Sequence, residues 1–309
     1  MQWRPSPWLS GIVKHYLVVE AERAPSLNYR LFSDGNPGIV FHFGEPLKQT
    51  AASELAATDI MPAERALQPD RFSPDRARSS GGFQPRSFLY GQITHYNDWL
   101  SDGKLGMLVV VLQPAGISSL VRTPAHELND SLIRLSDLFG QEAIDLEEQV
   151  IGACQPGPLM EGLSGRTFHP GHPAIRCVEQ FLLKKMKDSP GPDPFIEEAL
   201  QLIADSRGLV RMDELLREIP VTQRQLERKF KAAIGMSPKK MTDIIKLQYF
   251  LKLLQQHPAD NNLSDVVYEV GYYDQAHLNN YFKKMVGLTP RQYKVYPHLL
   301  AVNFMQLPG

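Results

Sequence analysis

Arg224, Arg228 and Lys231 share one face of a helix that turns about 100° per residue. Leu226, Phe230 and Ala233 occupy the opposite face. A later segment repeats the arrangement. Leu278, Phe282 and Met285 form its apolar stripe, and Ala276, Asn280 and Lys283 lie across from it, flanked by His277 and Lys284. Arg, Gln, Asn and His on the exposed N-terminal half of such a helix can reach base edges in a major groove. Gln223 and Gln225 stand beside the first set, and Gln275 opens the second. Ser237, Lys239 and Lys240 mark another helix start, as do Thr289 and Arg291. Unpaired backbone N–H groups point outward at a helix start, and a phosphate suits them. These sixteen residues are the expected DNA contacts. None is a catalytic candidate: the sequence shows no Ser/His/Asp framework and no paired carboxylates at helical spacing.

The elements that must position these side chains form an internal repeat. Residues 230–238 read Phe-Lys-Ala-Ala-Ile-Gly-Met-Ser-Pro, and residues 282–290 read Phe-Lys-Lys-Met-Val-Gly-Leu-Thr-Pro. Phe, Lys, Gly and Pro coincide at an offset of 52, as do Leu226 and Leu278. Capping hydroxyls and left-handed glycines set the helix ends. The pattern predicts helices over 195–206, 211–219, 222–234, 238–257, 263–270, 274–286 and 290–296. Two helix-turn-helix units therefore follow one another, 211–234 and 263–286, joined by the connector 238–257. Such a connector is roughly 28 Å long, against about 34 Å between successive major grooves on one face of DNA. From Arg224 to Lys252 there are eight basic residues and two acidic ones. Phosphate binding needs that local excess.

The second copy runs Leu263-Ser-Asp-Val-Val-Tyr-Glu-Val-Gly271-Tyr-Tyr-Asp-Gln-Ala-His-Leu278-Asn-Asn-Tyr-Phe282-Lys283-Lys-Met-Val-Gly287-Leu-Thr-Pro290-Arg-Gln-Tyr293. Over Phe195 to Tyr296 the chain resembles the AraC/XylS family of bacterial transcriptional regulators. The resemblance implies base contacts from the positions of Arg224 and Arg228, and from those of Gln275, Ala276 and Asn280. There are departures: Ala276 offers only a methyl group, Asn280 stands where a basic residue is frequent, and Val266 and Val267 replace the usual Ile-Ala. The resemblance also implies a small cupin-like β-barrel followed by dimerisation helices in the N-terminal half.

The N-terminal half has its own grammar. Ile12–Glu20, Leu27–Phe32, Gly38–Phe43, Arg86–Thr94 and Leu105–Gln113 read as strands separated by turn clusters. Residues 48–85 read as a long, poorly ordered loop, and 131–139, 142–153 and 172–187 as helices. The expected fold class is therefore α+β. An N-terminal β-barrel ends in a helical dimerisation and linker region over 1–187. A Pro-rich linker, 188–194, leads to an all-α domain, 195–296, and a tail, 297–309.

Composition narrows the function. Lys plus Arg is 33 against 34 Asp plus Glu, which excludes a uniformly basic nucleic-acid coat. Cys154 and Cys177 are the only cysteines, too few for a disulfide scaffold or a four-Cys zinc site. His42 has no second histidine near it in sequence, so neither a metal nor another cofactor is expected. No membrane-spanning run and no signal peptide is visible, and a cytoplasmic protein is expected. The expected partners are double-stranded DNA, a small-molecule effector, a second copy of the chain and RNA polymerase, as for an activator. Two alternatives stay open: an N-terminal half that only dimerises, and a cupin-type enzyme with an accessory DNA-binding tail.

Overall fold

Met107 to Leu112 is the longest apolar run of the chain, and a strand reads this way when both of its faces are covered. It forms most of the eighth strand in a computed structural model that describes residues 2–21, 27–50, 82–155, 171–187, 189, 191–256, 270–272, 275–295, 299–301 and 303–306. The strands are β1 (Gln2–Trp3), β2 (Val13–Ala21), β3 (Leu27–Leu31), β4 (Gly38–His42), β5 (Lys48–Gln49), β6 (Ser87–Tyr90), β7 (Asn97–Ser101), β8 (Leu105–Leu112), β9 (Leu132–Arg134), β10 (Leu299–Ala301) and β11 (Phe304–Gln306). Six of them make one antiparallel sheet in the order β1-β2-β8-β4-β6-β9. The other five make a second sheet in the order β10-β11-β3-β7-β5.

Alternation along β8 builds two cores. Met107, Val109 and Val111 face the second sheet and pack with Val19, Val40, Phe88, Tyr29 and Trp99. Leu108, Val110 and Leu112 face the other way, toward helices α2 (Gln141–Cys154) and α3 (Pro173–Met186). Each fully buried Leu or Val contributes about 1.5–3 kcal/mol, so register is strongly specified here. The layers run helices, sheet, sheet. Among the described residues the sheets remain two open sheets facing one another, where a closed barrel was expected.

Several local expectations need correction. Leu132–Arg134 is a strand paired with β6, and only Leu135–Phe139 (α1) is helical, because the β6 edge supplies hydrogen-bond partners that the local pattern does not reveal. The expected loop 48–85 contains β5, while its residues 51–81 lie outside the described residues. In the 172–187 segment the apolar stripe Ile175, Val178, Phe181 and Leu182 packs on the neighbouring helix and sheet within the N-terminal core. Of the three tryptophans, Trp99 lies in the core between the sheets, Trp3 packs against the core under the helices, and Trp8 is 82% exposed.

The remaining helices are α4 (Pro194–Asp205), α5 (Met212–Glu218), α6 (Gln223–Ala233), α7 (Pro238–Gln256), α8 (Gln275–Val286) and α9 (Pro290–Val295). The Asp193 side chain caps α4, accepting from Phe195 N at 3.0 Å. All six match helices predicted from the sequence within a residue or two. The predicted 263–270 helix falls almost wholly on residues outside the described set. The core of this half is built from Ile196, Leu226, Phe230, Leu247, Phe250, Leu278, Phe282 and Tyr293, and it also takes in Phe32 and Ala115 from the N-terminal half.

Candidate nucleic-acid interface

Helix α6 is set by its ends and one face. Thr222 Oγ1 accepts from Gln225 N at 3.3 Å, and Gln225 Oε1 accepts from Thr222 N at 2.9 Å. This reciprocal cap satisfies two donors that a helix start leaves free. Leu226 and Phe230 are fully buried. The opposite face is forced outward, and Arg224, Arg228 and Lys231 are all exposed. With Thr222, Gln225 and Glu227 they line one shallow depression. Gln223 is exposed too and donates to Glu227 at 2.9 Å. Gln225 serves twice, since its oxygen closes the cap while its amide N–H₂ group stays on the surface.

Helix α8 presents the second set in the same way. Leu278, Phe282, Met285 and Val286 are buried, while Gln275, Ala276, His277, Asn280, Lys283 and Lys284 are exposed. Tyr272 packs edge-on to Phe250 of α7, with ring centres 6.3 Å apart, and lies 6.0 Å from the His277 ring. Burial pushes the Tyr272 and Tyr281 hydroxyls well above the ordinary range, so both stay neutral. Lys246 ties α7 to this turn, donating to Gly271 O at 2.5 Å and lying 4.3 Å from the centre of the Tyr272 ring.

The helix-start residues divide. Ser237 Oγ accepts from Lys240 N at 3.2 Å, and Thr289 Oγ1 accepts from Gln292 N at 3.2 Å, so both hydroxyls act as caps. Lys239 and Arg291 are exposed, Lys239 paired with Asp243 at 2.9 Å. Lys240 is half-buried. Burial is the main influence lowering its ammonium pKa, with Asp130 of the N-terminal half opposing the shift. Arg224 and Asn280 are thus both on the surface, as base reading requires.

Contacts that no local sequence pattern signals hold the two units to the N-terminal half. Arg30 on β3 forms a two-pronged ion pair with Asp98 on β7, at 2.6 Å on each prong. The same guanidinium stacks over Tyr96 at 4.2 Å and donates to Val286 O at 3.3 Å. Asn129 donates to Gly235 O at 2.7 Å. No nearby periodicity marks these residues, because their partners lie far away along the chain.

Residues 215–295 match a family described as a helix-turn-helix domain, and residues 1–134 match one described as a domain of unknown function (DUF6597). The transcriptional regulator MtrA of Neisseria gonorrhoeae is 29% identical over 83 residues, covering 27% of this chain and 27% of its own length. The transcriptional regulator GlxA of Rhizobium meliloti is 26% identical over 137 residues, covering 44% of this chain and 36% of its own. The chain thus spans about a third or less of the length of these relatives. Among solved structures, ToxT of Vibrio cholerae with an unsaturated fatty acid bound has 12% identity and a TM-score of 0.44, covering 90% of this chain and 94% of ToxT. The C-terminal domain of AraT, a response regulator of Geobacillus stearothermophilus, has 24% identity and a TM-score of 0.31, covering 33% of this chain and 85% of that domain. No described helix is long and apolar enough to cross a membrane.

Proposed function

Since this chain belongs to the AraC/XylS family of helix-turn-helix transcriptional regulators, a family of DNA-binding proteins and not of enzymes, we propose that it reads one DNA duplex with α6 and α8 in neighbouring major grooves. One observation carries this reading. Arg224, Arg228 and Lys231 stand together, exposed, on a helix whose other face buries Leu226 and Phe230 completely and whose start is capped. Gln223, Gln225, Gln275, Ala276, His277 and Asn280 complete the base-reading surface. Lys283, Lys284, Lys239, Arg291 and the caps Ser237 and Thr289 take phosphates, and Lys240 joins them from its half-buried place.

In this reading the N-terminal sheets, the counterpart of a cupin-like sensor, bind a small-molecule effector, form a homodimer, or do both. The buried Trp99 indole N–H and His42 Nδ1 favour an effector, since among the described residues neither has a hydrogen-bond partner. An effector acts by binding one arrangement better than another. The protein works in the cytoplasm on promoters, where RNA polymerase is the further partner.

Selection of duplexes from a random pool tests this function. Each good two-pronged base contact gives about 1–3 kcal/mol of discrimination. Arg228→Ala is expected to weaken binding to the selected duplex by that order and to relax one or two base pairs. Unchanged affinity and sequence preference would reject the assignment.

A further inference from the structure

The repeated glycines do more than end their helices. Gly235 closes α6 and Gly287 closes α8, both with positive φ (95° and 74°), the left-handed region where only glycine is unstrained. Both also press against the N-terminal half. A Cβ on Gly235 would collide with Asn129 Oδ1 and lie 3.1 Å from Ala125 O. A Cβ on Gly287 would collide with Arg30 and lie 2.8 Å from the Tyr96 ring. The N-terminal half therefore holds the C-terminal end of each of these helices, through Ala125 and Asn129 for α6 and through Arg30 and Tyr96 for α8, and leaves their N-terminal ends exposed.

A third attachment comes from beyond the second unit. Leu299 begins β10 only four residues after α9 ends at Val295. From there β11 adds itself to β3, pairing Phe304 with Leu31, Met305 with Arg30 and Gln306 with Tyr29. Phe32 N donates to Asn303 O at 3.0 Å, and Asn303 Nδ2 returns a bond to Phe32 O at 3.1 Å. Phe304 stacks on Tyr29 at 5.3 Å inside the space between the sheets. Phe32 itself is fully buried in the helical core, edge-on to Tyr293 of α9 at 6.4 Å. Strand β3 is thus shared: Tyr29 and Leu31 face the sheet interior, Arg30 grips α8, and Phe32 enters the helical core.

We infer that the C-terminal hairpin is a strap that, with the two glycine docking points, braces α6 and α8 at a fixed separation for one duplex. The inference rests on the DNA-reading function above and adds how the geometry is held. Two modules on a rigid frame meet adjacent grooves at a higher effective concentration than two modules on a loose tether. The brace therefore favours binding and does not block it.

Two variants test the strap. One ends at residue 298. The other keeps the hairpin but carries about eight Gly/Ser residues inserted after residue 297, long enough to uncouple it from α9. Each is titrated against the duplex selected by the full chain and against the half of that duplex read by α6. Both variants are expected to lose about tenfold in affinity for the full duplex and to bind the half duplex as the unaltered chain does, which also reports an intact fold. If the unaltered chain selects no duplex, the DNA reading itself falls and the brace with it. If it selects one and the insertion variant holds the full duplex equally tightly, the brace alone is overturned. Tighter binding by that variant overturns it too, by making the strap an inhibitor.

Discussion

Asp98→Ala is the most direct probe of how the two halves are held. The Arg30 and Asp98 side chains are only 11% and 6% exposed. Removing one partner of a buried pair costs about 3–5 kcal/mol, because the other charge is left without compensation. Here Arg30 keeps the Tyr96 ring and Val286 O, so the lower part of that range, about 3 kcal/mol, is expected. Urea unfolding gives the free energy, with the slope checked to confirm that the transition stays cooperative. Asp213, whose pairs with Arg211 and Arg217 lie on the surface, is the control, and Asp213→Ala should leave stability unchanged. The double change Arg30→Met with Asp98→Leu should recover much of the loss, since it removes both charges and fills the space. A loss in Asp98→Ala no larger than that of the Asp213 control would refute the reasoning.

Acid should weaken the fold through His42. Burial holds His42 at about 4 against an ordinary 6.5. The unfolded chain takes up a proton in that interval and the folded chain does not. The stability is therefore complete above about pH 6.5 and falls toward pH 4, by about 3 kcal/mol from this group. His42→Gln, which can still meet Gln84, should flatten that part of the pH dependence of urea unfolding; an equally steep curve would count against it. Thr222→Ala removes the α6 cap and should cost about 1 kcal/mol in the same assay. Lys239→Ala and Arg291→Ala should each lower the salt slope of DNA binding by about 1 while leaving sequence preference unchanged. An altered preference would move those residues from phosphate to base contact.

Much of the candidate DNA surface was legible along the chain. Helix faces, caps and left-handed glycines are written over three or four neighbouring residues, and the 52-residue repeat wrote them twice. Leu226 and Phe230 turn inward and Arg224 and Arg228 outward whatever lies elsewhere, because a helix satisfies its own backbone. A strand cannot, since its hydrogen bonds belong to partners chosen by the whole fold. That is why β7 passed unread: Asn97-Asp98-Trp99-Leu100-Ser101 buries an aspartate that only Arg30, 68 residues earlier, makes tolerable. The tail passed unread for the same reason, since Asn303 meets Phe32 across 271 residues. The chain's own order thus determined two capped amphipathic helices and the polar faces they show. Tertiary packing alone decided that two open sheets, a shared strand and a returning tail would hold them, because contacts between distant segments leave no local period to read.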